Sequence, residues 1–185
     1  MQELARKLIH VIFGLAIAGM VLVLDHSSAL AVLAGGLFFG LILIDLVLRG
    51  YVLPVISPLL DYVDRCDPLP GKGALYFAVS ALTCVILFPA NLVVPALVSL
   101  AVLDGVAAMA GTRFGRTRIW NGKSGEGTIT GIFVTFLCLL LLMPVRGALI
   151  VAAFAGIIEM FSPVDDNLVI PVGICLLLTF IPALL

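Results

Sequence analysis

The residues of this chain that can do chemistry fall into four short groups. The first is Glu3, Arg6, Lys7 and His10. Their i, i+3, i+4, i+7 spacing puts all four on one face of a helix. An interfacial anchor would explain Arg6 and Lys7, but His10 stands inside an apolar run, where an ionisable group points to function. The second group is Asp104, set in Asp104-Gly105-Val106-Ala107-Ala108-Met109-Ala110-Gly111. It lies about 10 Å along a helix from Gly111 at about 1.5 Å per residue. Small residues around it let neighbouring helices approach closely, so its carboxylate is expected to face into a bundle and to hold Mg²⁺ or move a proton. The third group is the run TRFGRTRIWNGKSGEG from Thr112 to Gly127. Arg113, Arg116, Arg118 and Lys123 share it with Gly115, Gly122, Gly125 and Gly127. Glycines let backbone N–H groups approach an anion and the cations neutralise it. A helix starting at Thr128 would add its dipole. Together these are the means of holding phosphate. A basic loop drawn to anionic headgroups would not need Glu126 or so many glycines. The fourth group is Glu159 with Asp165-Asp166-Asn167. One Asp or Asn serves as a helix N-cap; two adjacent acids and Glu159 exceed that need, and such carboxylates hold Mg²⁺ beside substrate phosphates.

These groups must be positioned by elements that are almost wholly apolar. The chain has 185 residues, 63% hydrophobic and 11% charged. Its mean hydropathy is +1.29. A soluble domain is about 45–50% apolar and about 25% charged, so the expected solvent is a bilayer. The fold class expected is an all-α, polytopic membrane helical bundle forming one domain over residues 1–185. About seven transmembrane helices are predicted, at Glu3–Leu24, Ser28–Leu48, Gly73–Phe88, Leu92–Gly111, Thr128–Met143, Arg146–Phe161 and Asn167–Leu184. Pro89, Pro144 and Pro163 stand where helices should stop. The apolar run Leu8–Leu24 is longer than a signal-peptide core and is read as the first span. Tyr51–Leu60 is apolar but too short to span, and would lie along the interface or re-enter shallowly.

Orientation follows from the basic residues. Under strict alternation nine of the ten fall on one face, and only Arg146 on the other. The positive-inside rule makes the crowded face cytoplasmic, with the amino terminus inside and the carboxyl terminus outside. The polar connections at 49–73, 111–128 and 159–168 then lie on the cytoplasmic side of a cytoplasmic membrane. A transporter would place polar groups near the midplane, whereas here the outer half is nearly uncharged. Cys66, Cys84, Cys138 and Cys175 have no metal-site spacing and read as reduced packing residues.

The same residues resemble the CTP-dependent polyprenol kinase family, which includes dolichol kinase, phytol kinase and a CTP-dependent diacylglycerol kinase. Glu3, Arg6-Lys7 and His10 look like its opening E-x-x-R-K-x-x-H, and Asp45 with Arg49 occupy places where it often has an acid and Arg. Lys72-Gly73-Ala74-Leu75-Tyr76-Phe77 is similar to its K-G-A-x-Y-F. Asp104-Gly105 matches its G-D region only in the Asp, since Leu103 stands where Gly is usual. Gly111, Phe114 and Gly115, then Lys123-Ser124-Gly125-Glu126-Gly127-Thr128, look like G-x-x-F-G and K-S-x-E-G-T. Glu159 and Asp165-Asp166-Asn167-Leu168 with Pro171 look like its final E and D-D-N-L-x-x-P. The chain is similar to a minimal prokaryotic-type member.

The resemblance implies transfer of the γ-phosphoryl group of CTP to the hydroxyl of a membrane lipid alcohol, such as dolichol, a polyprenol, geranylgeraniol or phytol. It implies catalytic roles for Asp104, Glu126, Asp165, Asp166 and His10. Phosphate or nucleotide contacts would come from Arg6, Lys7, Arg113, Arg116, Lys123, Ser124, Gly125, Gly127 and Asn167. Mg²⁺ or another divalent cation would sit on Asp104, Glu159, Asp165 and Asp166. Asp104, the deepest carboxylate, is the first choice for taking the hydroxyl proton. Diacylglycerol as acceptor, or a cytidylyltransferase releasing pyrophosphate, are the alternatives. No nucleic-acid partner is expected, and a homo-oligomer stays open.

Overall fold

The computed structural model describes residues 2–54, 71–119 and 122–185, with side chains from Leu4 onward. The Glu3 side chain, Arg65, Cys66, Trp120, Asn121 and most of the expected 49–73 connection lie outside the described residues. So does the interfacial or re-entrant reading of Tyr51–Leu60 beyond Pro54.

Seven α-helices are described: α1 (Gln2–Val23), α2 (His26–Leu48), α3 (Lys72–Leu87), α4 (Ala90–Phe114), α5 (Gly125–Leu139), α6 (Val145–Phe161) and α7 (Asp166–Phe180), followed by a 3₁₀ turn at Pro182–Leu184. No residue outside them forms more than an isolated β-bridge among the described residues. The expected helices are therefore all present, with shifted ends. The seventh stops at Phe180 because Pro182 disfavours helical backbone at Ile181, which takes φ −128°, ψ 71°. The fifth starts at Gly125, capped by Ser124, whose hydroxyl accepts from Gly127 N–H. The fourth runs through Gly111 to Phe114. The expected 111–128 connection is thus helix at both ends, over 111–114 and 125–128.

Three helices are long and apolar enough to cross a membrane: Leu4–Val23, His26–Leu48 and Ala90–Phe114. Helices α3, α5 and α7 are apolar but shorter. The outward faces carry large apolar side chains such as Phe13, Phe38, Phe39, Phe133, Leu141 and Phe180. So many exposed large apolar side chains suit a membrane better than water.

Helix α4 is the centre of the bundle, with α1, α5 and α7 packed against it and Leu97, Leu100 and Leu103 fully buried. Its neighbours run antiparallel to it. On α1, Gly14 meets Ala101 where Val11 meets Gly105; on α5, Gly131 meets Leu103 where Gly127 meets Ala107. Helix α3 runs parallel to α7, since Gly73 faces Asn167 and the Ser80 hydroxyl donates to Leu168 O at 3.1 Å. Cys84 and Cys175 are free thiols buried in the core, as their expected packing role requires. This alternation brings one end of every helix bearing a candidate residue to the same end of the bundle.

Candidate functional site

The site starts with α1 and α4. Lys7 Nζ donates to both carboxylate oxygens of Asp104, at 2.6 and 2.7 Å. His10 Nε2 lies 3.6 Å from Asp104 Oδ2. His10 meets Phe77 of α3 edge-on, with ring centroids 5.5 Å apart, and Arg6, one turn before His10 on α1, is half-buried. Two helix backbones come this close because residue 105 is glycine. A Cβ there would stand 2.1 Å from Val11 Cγ2. Leu103, the departure from the family pattern, points into the core instead.

Lys123 organises a second cluster. Its ammonium donates to Asp166 Oδ2 and to the main-chain oxygen of Glu159, and it lies 3.1 Å from Glu159 Oε1. Glu159 is 5% exposed, and its other oxygen accepts from Thr128 Oγ1 at 2.9 Å. Burial alone would lower the Lys123 pKa, but the hydrogen bonds and charges of Asp166 and Glu159 outweigh it and hold the ammonium above its ordinary value. Asp165 is the N-cap of α7, accepting from Asn167 N–H at 3.2 Å. The Asn167 side-chain carbonyl is buried without a hydrogen-bond partner among the described residues, and its amide nitrogen faces Gly73.

The two clusters form one electrostatic neighbourhood. Asp104 feels the charge of Lys123, Asp166 feels Asp104 and Glu159, and His10 feels Asp165. Acidic groups from α4, α6 and α7 therefore converge, each answered by a lysine.

The glycine-rich connection takes a different form from the open phosphate loop its composition suggests. It is a small hairpin. Ile119 N–H donates to Lys123 O at 2.9 Å, Gly125 N–H to Thr117 O at 3.1 Å, and Gly122 turns the chain at φ 76°. Glu126 ties it down, accepting from Arg116 N–H at 3.2 Å and from the Thr117 N–H and hydroxyl. That carboxylate faces the hairpin and, among the described residues, bonds to neither lysine cluster. Ser124 Oγ fills a hole made by three glycines: a Cβ on Gly111, Gly115 or Gly127 would stand 2.7, 2.7 or 2.8 Å from it. The N–H groups of Gly125 and Gly127 are already engaged, by Thr117 O and Ser124 Oγ. These glycines serve close packing of α4 on α5. Arg113 and Arg116 stay exposed beside them.

Asp45 and Arg49 form an i, i+4 pair at 2.7 Å at the end of α2, both more than half exposed. Among the described residues, no three His, Cys, Asp or Glu side chains stand together at metal-ligating spacing. Thr128 and Phe77 were not among the expected site residues, although both end family-like stretches, and that position in K-S-x-E-G-T and K-G-A-x-Y-F is the signal that could have found them.

No family model matches the chain, and no solved structure matches it. A protein of Methanocaldococcus jannaschii, named uncharacterized protein MJ1137, is 32% identical over 198 aligned residues, which cover 98% of this chain and 100% of that protein.

Proposed function

The chain belongs to one family with that Methanocaldococcus jannaschii protein, and we propose that it is a CTP-dependent lipid-alcohol kinase of the cytoplasmic membrane, making a lipid monophosphate and CDP. In this reading all seven helices cross the bilayer, the amino terminus is cytoplasmic, the carboxyl terminus is outside, and the site opens to the cytoplasm. The observation that supports the reading is that Lys7–Asp104 and Lys123–Asp166–Glu159 stand at one end of an apolar bundle, near enough to act electrostatically on each other. Phosphoryl transfer asks mainly for positioning and neutralisation of charge, and this is where the chain concentrates both signs. The preference for CTP, and for an isoprenoid alcohol as acceptor, comes from the family resemblance.

Lys123, Arg113 and Arg116 would neutralise the phosphates, with Arg6 and Lys7 at the deeper side. Asp104 stands beside His10, at the depth where a hydroxyl entering sideways between helices would arrive. It is the group to take the hydroxyl proton as the oxygen attacks the γ-phosphorus and the bond to the CDP oxygen breaks. The donor set suits Mg²⁺, because every candidate offers carboxylate oxygen. Mg²⁺ takes one or two protein carboxylates and leaves the rest of its shell to water and substrate phosphates, which the lack of a three-residue cluster among the described residues accommodates. One or two of Asp104, Asp165, Asp166 and Glu159 would hold it. When bound it would offset the charge that develops on the transferred phosphate.

The test is purified protein given CTP or ATP labelled on the γ-phosphate, Mg²⁺ and a panel of lipid alcohols. Labelled lipid monophosphate and CDP are expected with an isoprenoid alcohol. Pyrophosphate release with a lipid phosphate would instead make it a cytidylyltransferase, and no labelled lipid with any alcohol would overturn the reading.

A further inference from the structure

At the opposite end of the bundle lies an apolar cavity of about 220 Å³. Its lining comes from Val21 of α1, His26 and Ala29 of α2, Val85 of α3, Phe88 just after it, and Ala90 and Val93 of α4. Well-packed interiors leave few voids larger than a water molecule. An apolar cavity of about 150 Å³ stays dry and takes up benzene, and this one is larger. It is partly open at the bundle end, beside the exposed His26 and Pro89, but its walls are almost wholly apolar, so a hydrocarbon is the fitting occupant.

The cavity shares three of its four helices with the polar cluster. His10 and Val21 are on α1, Phe77 and Val85 on α3, Asp104 and Val93 on α4. Along α1 and α4 the separation is about 16 Å at about 1.5 Å per residue. Helix α2 closes the cavity with its outer half: its buried residues are Ala29 and Leu33, and none of its residues from Ala34 to Leu48 is buried. The inner half of α2 thus presses less closely on its neighbours, on the side where a membrane chain would approach.

We propose that this cavity receives the far end of the hydrocarbon chain of the lipid alcohol, and so selects substrates by chain length. The proposal rests on the kinase reading for the identity of that lipid. An extended chain covers about 1.2 Å per bond, so about 13 bonds separate the level of Asp104 from the cavity wall: farnesol, with about 12 main-chain carbons, stops short, and geranylgeraniol, with about 16, enters. Selection comes from apolar burial that only the longer chain achieves.

The test fills the cavity and follows the chain-length profile. In full-length protein in liposomes, Ala29→Phe and, separately, Ala90→Leu are expected to lower kcat/KM for geranylgeraniol at least tenfold and to leave geraniol unchanged. An unaltered profile in a folded variant, or an equal loss for all alcohols, overturns the proposal. A second readout needs no turnover. A geranylgeraniol carrying a terminal diazirine, without nucleotide, is expected to label the segments around Val21, Ala29, Val85 and Val93. Labelling there without phosphorylation would leave the pocket standing and remove the kinase reading. Phosphorylation with the label elsewhere would do the reverse. Labelling by a diazirine-tailed phospholipid but not by the alcohol, or by neither, overturns the pocket's assignment.

Discussion

Lys7 grips both carboxylate oxygens of Asp104 across 97 positions of sequence. The side chains are 11% and 16% exposed, so the pair is largely withdrawn from water. Removing one partner of such a pair costs about 3–5 kcal/mol, because the other charge is left buried and alone. Lys7→Met and Asp104→Leu are each expected to lower thermal stability in detergent. The double variant should recover most of it and remain inactive. Asp104→Asn keeps the shape and should reduce turnover at least a hundredfold in a folded protein. Full activity in that variant removes Asp104 from the mechanism.

Lys123 predicts an alkaline signature. A lysine in an unfolded chain titrates near about 10.4, and Lys123 in the fold titrates above its ordinary value. Its contribution to stability is therefore complete below the unfolded value and is lost as pH rises through the folded one. The stability advantage of the native protein over Lys123→Gln should shrink as pH rises above about 10. An advantage that does not shrink there would contradict the pairing with Asp166 and Glu159.

Glycines give a graded series. A Cβ on Gly127 would meet Ala107 O at 2.5 Å and Gly111 Cα at 2.9 Å, both main-chain atoms of α4. Gly127→Ala should cost about 1–3 kcal/mol, the range for overpacking. Gly105→Ala meets the Val11 side chain, which can yield somewhat, so its loss should be smaller. Gly36→Ala meets nothing within 4 Å and should change stability by no more than about 0.5 kcal/mol. The order of the three melting temperatures checks the packing of α4 against α5 and α1.

Thr128→Val removes the hydroxyl that serves Glu159 Oε2 and keeps the side-chain shape. Leaving that buried acceptor unpaired should cost about 1–3 kcal/mol. Thr128→Ser should restore the bond and most of the stability. Equal melting points for the two variants would show that Glu159 does not depend on Thr128.

Topology is checked by single cysteines in a background lacking the natural ones. A cysteine at Arg118 should react with an impermeant thiol reagent only from the cytoplasmic side, and one at Arg146 only from the other. Reaction of both from one side would refute the seven-span arrangement.

Much of this was readable in the chain itself. Apolar run length, with the prolines that end the runs, located all seven described helices to within a few residues, because proline cannot continue a helix and an apolar run of that length favours one. The i, i+3, i+4, i+7 spacing of Glu3, Arg6, Lys7 and His10 was enough to put their positions on one face. Helix ends were less readable: α4 runs on past Gly111 because that glycine receives Ser124 rather than stopping the helix.

Residue type and spacing by themselves determined which groups could do chemistry and at which end of their helices they stand, since both are local properties of the chain. Only the tertiary structure decided who meets whom. Lys7 with Asp104 and Lys123 with Glu159 and Asp166 are contacts between distant segments, which no local pattern encodes. It also decided what the glycines are for. A missing side chain can serve a bound anion or a neighbouring helix equally well, and here α4 and α5 close upon each other around Ser124.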